Sequence, residues 1–204
     1  MRKLLEWGGI AAGVVLILFG IGAIVLAVQG KNTVQDELAK QQITGTPDMT
    51  PDAIKAEAKQ AGLTDEQVNG YPTCSVAGEK VDTGSEARCF ASYMNIHALE
   101  ATGGQVYSQM PRYATADGKG TNDPNAASKG PSGRPLDNPA RDIWVTETAL
   151  STALITSYMA DQLGNFGLVV GIALLLAGVG FIILAASGAL RASERPKGGA
   201  ASAV

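Results

Sequence analysis

The chain has one histidine, His97, with a carboxylate three residues ahead at Glu100 and a methionine three residues behind at Met94. On a helix that spacing puts His97 and Glu100 on neighbouring positions of one face, the arrangement of two ligands of a metal site. The same face carries Phe90 and Met94, so His97 is read as a packed or interface histidine and no metal ligand is assigned. A Ser-His-Asp hydrolase would need this same imidazole, and no G-x-S-x-G elbow is present. Gly118-Lys119-Gly120-Thr121 has the composition of a phosphate loop but not its spacing, its strand or its helix. Asp36-Glu37 and Asp65-Glu66 fall on polar helix faces and read as solvated surface. The residues thus suggest a protein that is not an enzyme, with no catalytic residue and no cofactor.

The other reactive pair is Cys74 and Cys89, the chain's two cysteines, with no C-x-x-C between them. A zinc site would want four ligands at characteristic spacing, so the expected product is a disulfide, in a compartment where oxidation is allowed.

These residues sit between two uncharged apolar runs, 8–28 and 166–190. A bilayer core of about 30 Å needs roughly 20 apolar residues of helix, and both runs meet that. Five basic residues (Arg2, Lys3, Arg191, Arg195 and Lys197) lie just outside the runs at the chain ends, which places both ends in the cytoplasm. The segment between the runs has eleven basic residues against seventeen acidic ones. An acidic segment of this kind argues against nucleic acid as a partner. The first run exceeds a signal-peptide h-region and leads to no small-x-small cleavage pattern, so it is expected to stay as an anchor. Trp7 and Phe166 stand where interfacial anchors would.

The expected fold is an all-α membrane protein. Residues 1–7 form a cytoplasmic N-terminus, 8–28 the first span, 29–165 an extracytoplasmic stalk and disulfide-stapled cap, 166–190 the second span and 191–204 a cytoplasmic tail. The first span should continue as helix to about Gln42, with Val34 and Leu38 one turn apart. A short helix over Pro51–Ala61 takes Thr50 as its N-cap. Ser75 to Val81 reads as an irregular strand or loop. A helix from Ser85 to the Gly103-Gly104 stop would show Phe90, Met94, His97, Ala98 and Ala101 on one face. Residues 105–140, rich in Gly and Pro, read as a mobile loop rather than an extended arm. Helix resumes at Arg141 and runs into the second span, with Leu150, Leu154, Ile155, Tyr158 and Met159 as an apolar stripe needing cover from Val34 and Leu38 or from another copy. Trp144 is expected to pack between stalk and cap. Trp144, Tyr158 and His97 are the candidate interaction-surface residues.

Gly9-Gly13 and Gly167-Gly171 have the four-residue spacing that lets membrane helices approach closely, either between the two legs or between copies. Neither run holds an ionisable residue, which speaks against a proton or ion pathway within them.

The segments MRKLLEWGGIAAGVVLILFGIGAI, GTPDMTP, PTCSVAG, ARCFASYMNIHALEATGG and WVTETALSTALITSYMADQL together resemble a family of two-span membrane proteins of unassigned function from high-GC Gram-positive bacteria. The resemblance covers most of the chain and implies a membrane location. Members are often labelled aromatic ring-opening dioxygenases. An extradiol enzyme of that kind holds iron with two histidines and a carboxylate, and this chain departs from that set by having one histidine. The leading expectation is a non-enzymatic envelope scaffold or accessory subunit, inserted in the lipid bilayer and bound to itself or to another membrane protein. The alternatives are an iron-dependent dioxygenase and an extracytoplasmic sensor or ligand-binding module using residues 105–140.

Overall fold

The computed structural model describes residues 2–187. Its regular structure among the described residues is five α-helices, α1 (Arg2–Lys40), α2 (Pro51–Gln60), α3 (Asp65–Val68), α4 (Gly84–Ala101) and α5 (Pro139–Ala186), and one 3-10 turn, Tyr107–Gln109. Extended chain among the described residues pairs only in isolated bridges, such as Thr44 with Lys80 and Gly45 with Ala77. The expected cytoplasmic tail and residues 188–190 of the second apolar run lie outside the described residues. Two compact units divide the chain, one of residues 1–29 with 163–204 and one of residues 30–162.

In the first unit, α1 and α5 are both long and apolar enough to cross a bilayer. Only 17% of each helix's most apolar window is buried. Leu18, Phe19, Leu26, Val169 and Leu176 are exposed, as are the candidate anchors Trp7 and Phe166. A core helix of a soluble protein would hide such residues, whereas here water or lipid must meet them.

What the two helices bury against each other is small. Gly13, Gly20 and Ala27 on α1 are buried, as are Gly164, Gly171, Gly178 and Ala185 on α5. A Cβ on Gly13 would lie 2.6 Å from the Gly178 carbonyl oxygen, one on Gly171 2.8 Å from that of Gly20, and one on Gly167 3.1 Å from the Ala27 Cβ. Rising numbers on α1 meet falling numbers on α5, so the helices run antiparallel. Gly13, Gly167 and Gly171 therefore all lie at close approaches of the two helices, and Gly9 is buried. Close approaches fall seven residues apart on α1, at Gly13 and Gly20, and both seven and four apart on α5, at Gly178, Gly171 and Gly167. A seven-residue repeat keeps one face of each helix on its partner over several turns, which a four-residue motif does only at a crossing point. The seam joins the two legs of one chain.

The second unit is organised around α4. Thr83 caps it, its side chain accepting from the Glu86 N–H while the Glu86 carboxylate accepts from the Thr83 N–H at 2.9 Å. This capping box starts α4 one residue before the expected Ser85. The buried positions of α4 include Ala87, Cys89, Ala91, Tyr93, Ile96, Ala98 and Leu99. They do not form the single expected face: Phe90, Met94 and His97 are half-buried and Ala101 is exposed. The reason is that α4 is covered from more than one side. Met49, Ile54, Ala58, Leu63, Val68 and Trp144 pack with Tyr93, Ile96 and Leu99, while Leu38, Val81 and Leu154 pack with Ala87 and Ala91. Gly84 permits the second contact, since a Cβ there would stand 2.6 Å from that of Asp161. Asp161 in turn accepts from the Lys31 ammonium at 2.8 Å.

The expected helix bounds hold within two residues. Helix α1 stops at Lys40 rather than Gln42, and α2 at Gln60 with Thr50 capping it through the Ala53 N–H. The four-residue α3 was not anticipated; Thr64 and Gln67 close a capping box around it. Cys74 and Cys89 form the expected disulfide. Between Gln105 and Asn138 there is one 3-10 turn, Tyr107–Gln109, and the rest is turns joined by backbone hydrogen bonds, among them Tyr113 N–H to Thr121 O and Leu136 N–H to Ser128 O, both 2.9 Å.

Candidate functional site

Asp48, Glu57 and His97 converge in the second unit, and each is placed by a neighbour in the core. Asp48 precedes Met49, which is 3% exposed and whose carbonyl accepts from the Val76 N–H at 3.2 Å. That strand-like contact depends on Gly45, because a Cβ there would sit 1.8 Å from the Val76 carbonyl oxygen. Glu57 is carried by α2, fixed through the fully buried Ile54 and Ala58. His97 lies on α4 between the buried Ile96 and Ala98.

The His97 Nε2 stands 2.8 Å from an Asp48 carboxylate oxygen and 3.9 Å from one of Glu57. Ligand-type atoms of all three lie within 4.8 Å of one another. The three side chains are between about a quarter and two-fifths exposed, so the cluster is open to solvent on one side. A hydrogen bond from the Thr46 side chain, aided by the His97 imidazole, holds the Asp48 carboxyl below its usual range against the effect of burial. Glu100 behaves in the opposite way. Burial pushes its carboxyl up, Glu57 and Asp48 add to this, and His97 opposes it. Its Oε1 is buried and accepts no hydrogen bond.

The partners of His97 are thus two carboxylates from other elements, with the expected Glu100 behind them. Of the other candidate surface residues, Trp144 is 7% exposed, and its indole N–H reaches the Gln105 carbonyl at 2.7 Å and the Thr102 hydroxyl at 3.2 Å. It packs in the core and is among the residues lining the groove bordered by Ile155 and Met159. Tyr158 is half-buried, with the Arg88 guanidinium 5.0 Å from its ring centre and donating to its hydroxyl at 3.2 Å. In the stripe on α5, Leu154 is buried with Leu38, with Val34 packed against them, while Leu150, Ile155 and Met159 stay exposed. Ile155, Tyr158 and Met159 line a groove of about 720 Å³ that also reaches Val106, Ile96 and Leu99. A second cleft, of about 590 Å³, lies beside His97, Met94 and Ile143.

The Glu86 cap supplies a pH dependence elsewhere in this unit. Burial raises its carboxyl, but hydrogen bonds from the Asp82 and Thr83 N–H groups outweigh burial and hold it below the ordinary value. A carboxyl lowered on folding stabilises fully above its unfolded pKa of about 4.3 and ceases to do so as pH falls through the folded value. Glu86→Gln keeps an acceptor but loses the charge. It is expected to cost about 1 kcal/mol at pH 7 and progressively less as pH falls below about 4. Thermal unfolding of both proteins across that range checks it.

No protein-family model matches the chain, and neither the curated proteins nor the solved structures include one significantly similar to it.

Proposed function

We propose that the chain is a two-pass integral membrane protein of a bacterial envelope, with both termini cytoplasmic and residues 29–165 outside. In this reading it is a non-enzymatic scaffold or accessory subunit that binds a second copy or another membrane protein. The helical stalk and small cap expected from the sequence belong to this proposal. Basic residues outside the apolar runs support the orientation, and the Cys74–Cys89 disulfide agrees with an oxidising compartment. The observation that carries the binding role is the apolar surface on α5 outside the proposed span. Val145, Leu150, Ile155 and Met159 are 44–64% exposed, and the last two border the 720 Å³ groove. Apolar residues grouped along a groove mark an interaction surface more than scattered single ones do.

The full chain in mild detergent is expected to run as a higher-order species or with a stoichiometric membrane partner. Ile155→Asp with Met159→Asp should shift it to the monomer with its helix content unchanged. Wild-type protein that is strictly monomeric and without partner in native membranes and in detergent would overturn the reading.

A further inference from the structure

We propose that Asp48, Glu57 and His97 form a binding site for a divalent transition-metal cation of the zinc type. Three features carry this. The first is donor chemistry: one imidazole and two carboxylates supply the N and O ligands that zinc takes, and three protein ligands leave a fourth position for water. The second is spacing. At metal–ligand distances near 2.0–2.2 Å, tetrahedral donors lie about 3.4 Å apart. The observed separations from His97 Nε2, 2.8 Å to Asp48 and 3.9 Å to Glu57, bracket that value. Adjustments of about half an ångström would bring both His97 separations to that value, and all three donor atoms already lie within 4.8 Å of one another.

The third feature is what a His97–Asp48 ion pair leaves over. Glu57 at 3.9 Å is beyond hydrogen-bond reach of His97, and Glu100 keeps a buried carboxylate oxygen without a donor. Three carboxylates around one imidazole give a negative site even when the ring is protonated. A dication would balance that charge, and the core residues flanking each ligand hold the donors in place while their side chains stay open to solvent. Carboxylate-only cations such as Mg²⁺ and Ca²⁺ make less use of the imidazole, which favours a transition metal.

The test uses the full chain in detergent with an affinity tag that contains no histidine. Zinc titration with removal of free metal should leave one Zn²⁺ per chain, bound with a micromolar or lower Kd, and Co²⁺ should give a visible absorption band of tetrahedral type. Binding to the native state should raise the melting temperature by several degrees at saturation. Glu57→Gln removes a ligand that has no hydrogen bond to His97, so the fold is retained; it should weaken Zn²⁺ at least tenfold, and His97→Gln should abolish the Co²⁺ band. Mg²⁺ at the same concentration should produce neither effect. Equal zinc uptake by wild type and both variants, or uptake only in the millimolar range, would overturn the proposal and leave His97–Asp48 a simple ion pair.

Discussion

Gly171→Leu is expected to open the α1–α5 pair, and its effect should be among the largest of any single substitution in the chain. Its Cβ alone would lie 2.6 Å from Ile24 Cγ1 and 2.8 Å from the Gly20 carbonyl oxygen. Both are closer than van der Waals contact, and one is backbone that has no rotamer to escape into. Overpacking of this kind costs about 1–3 kcal/mol in a soluble core. Here the rest of the side chain adds to that, and in the bilayer setting proposed above close packing carries the association, because burial of apolar surface supplies little there.

A cross-linking experiment reads this directly. In Ala27→Cys with Gly167→Cys the added Gly167 Cβ would sit 3.1 Å from that of Ala27, so a separation of a few tenths of an ångström more brings the pair into the disulfide range of about 3.5–4.5 Å. The pair should oxidise nearly completely in detergent, and the addition of Gly171→Leu should reduce the yield to a small fraction. Gly22→Leu and Gly180→Leu are the controls, because a Cβ at either position meets nothing within 4 Å. Equal yields in the Gly171 and Gly22 backgrounds would show that the glycine seam does not hold the pair together.

The seam also marks how far the sequence could be read. Glycine in the apolar runs was visible, and so was its use in close approach. Four-residue pairs attract attention because they are local, whereas the pairing of Gly13 with Gly178, Gly20 with Gly171 and Ala27 with Gly167 appears only when two helices are laid side by side. The helix bounds were legible for local reasons: Thr50-Pro51 starts α2, and Gly103-Gly104 follows α4. The boxes Thr64-x-x-Gln67 and Thr83-x-x-Glu86 carried the same kind of signal for α3 and α4. The faces of α4 were not legible, since a helix covered from several sides has no single apolar stripe. The partners of His97 could not be read at all. Asp48 and Glu57 reach it only because Met49, Ile54 and Ala58 pack against α4, a matter of tertiary contact that no short spacing records. Trp144 was more legible: packing was the expectation for it, and its indole is buried by contacts with the Thr102–Gln105 turn.

Removing the disulfide should be the other large effect, confined to the second unit. Cys74 and Cys89 are fifteen residues apart, and closing a loop of that length stabilises a fold by about 3 kcal/mol in the chain-entropy model. The bridge also sets a local anchor. The Cys74 carbonyl accepts from the hydroxyl of Tyr93 at 2.6 Å, and Tyr93 is fully buried within the core that holds Ile54, Ile96 and Leu99. Cys74→Ser with Cys89→Ser therefore frees the 74–83 segment and weakens the partner of a buried hydroxyl in the same step. A domain of this size should lose on the order of 10 °C in melting temperature. Reduction of the wild type should reproduce the shift, and the α1–α5 cross-link at Ala27 and Gly167 should form as before, since Cys74 and Cys89 lie in the other unit. A Tyr93→Phe variant separates the two contributions. It keeps the bridge and the packing, so it should cost about 1 kcal/mol, the usual net worth of one hydrogen bond with some desolvation of the carbonyl left behind. If the reduced protein and the double serine variant melt with the oxidised wild type, the fold around α4 is held by its apolar contacts alone and the bridge contributes nothing to it.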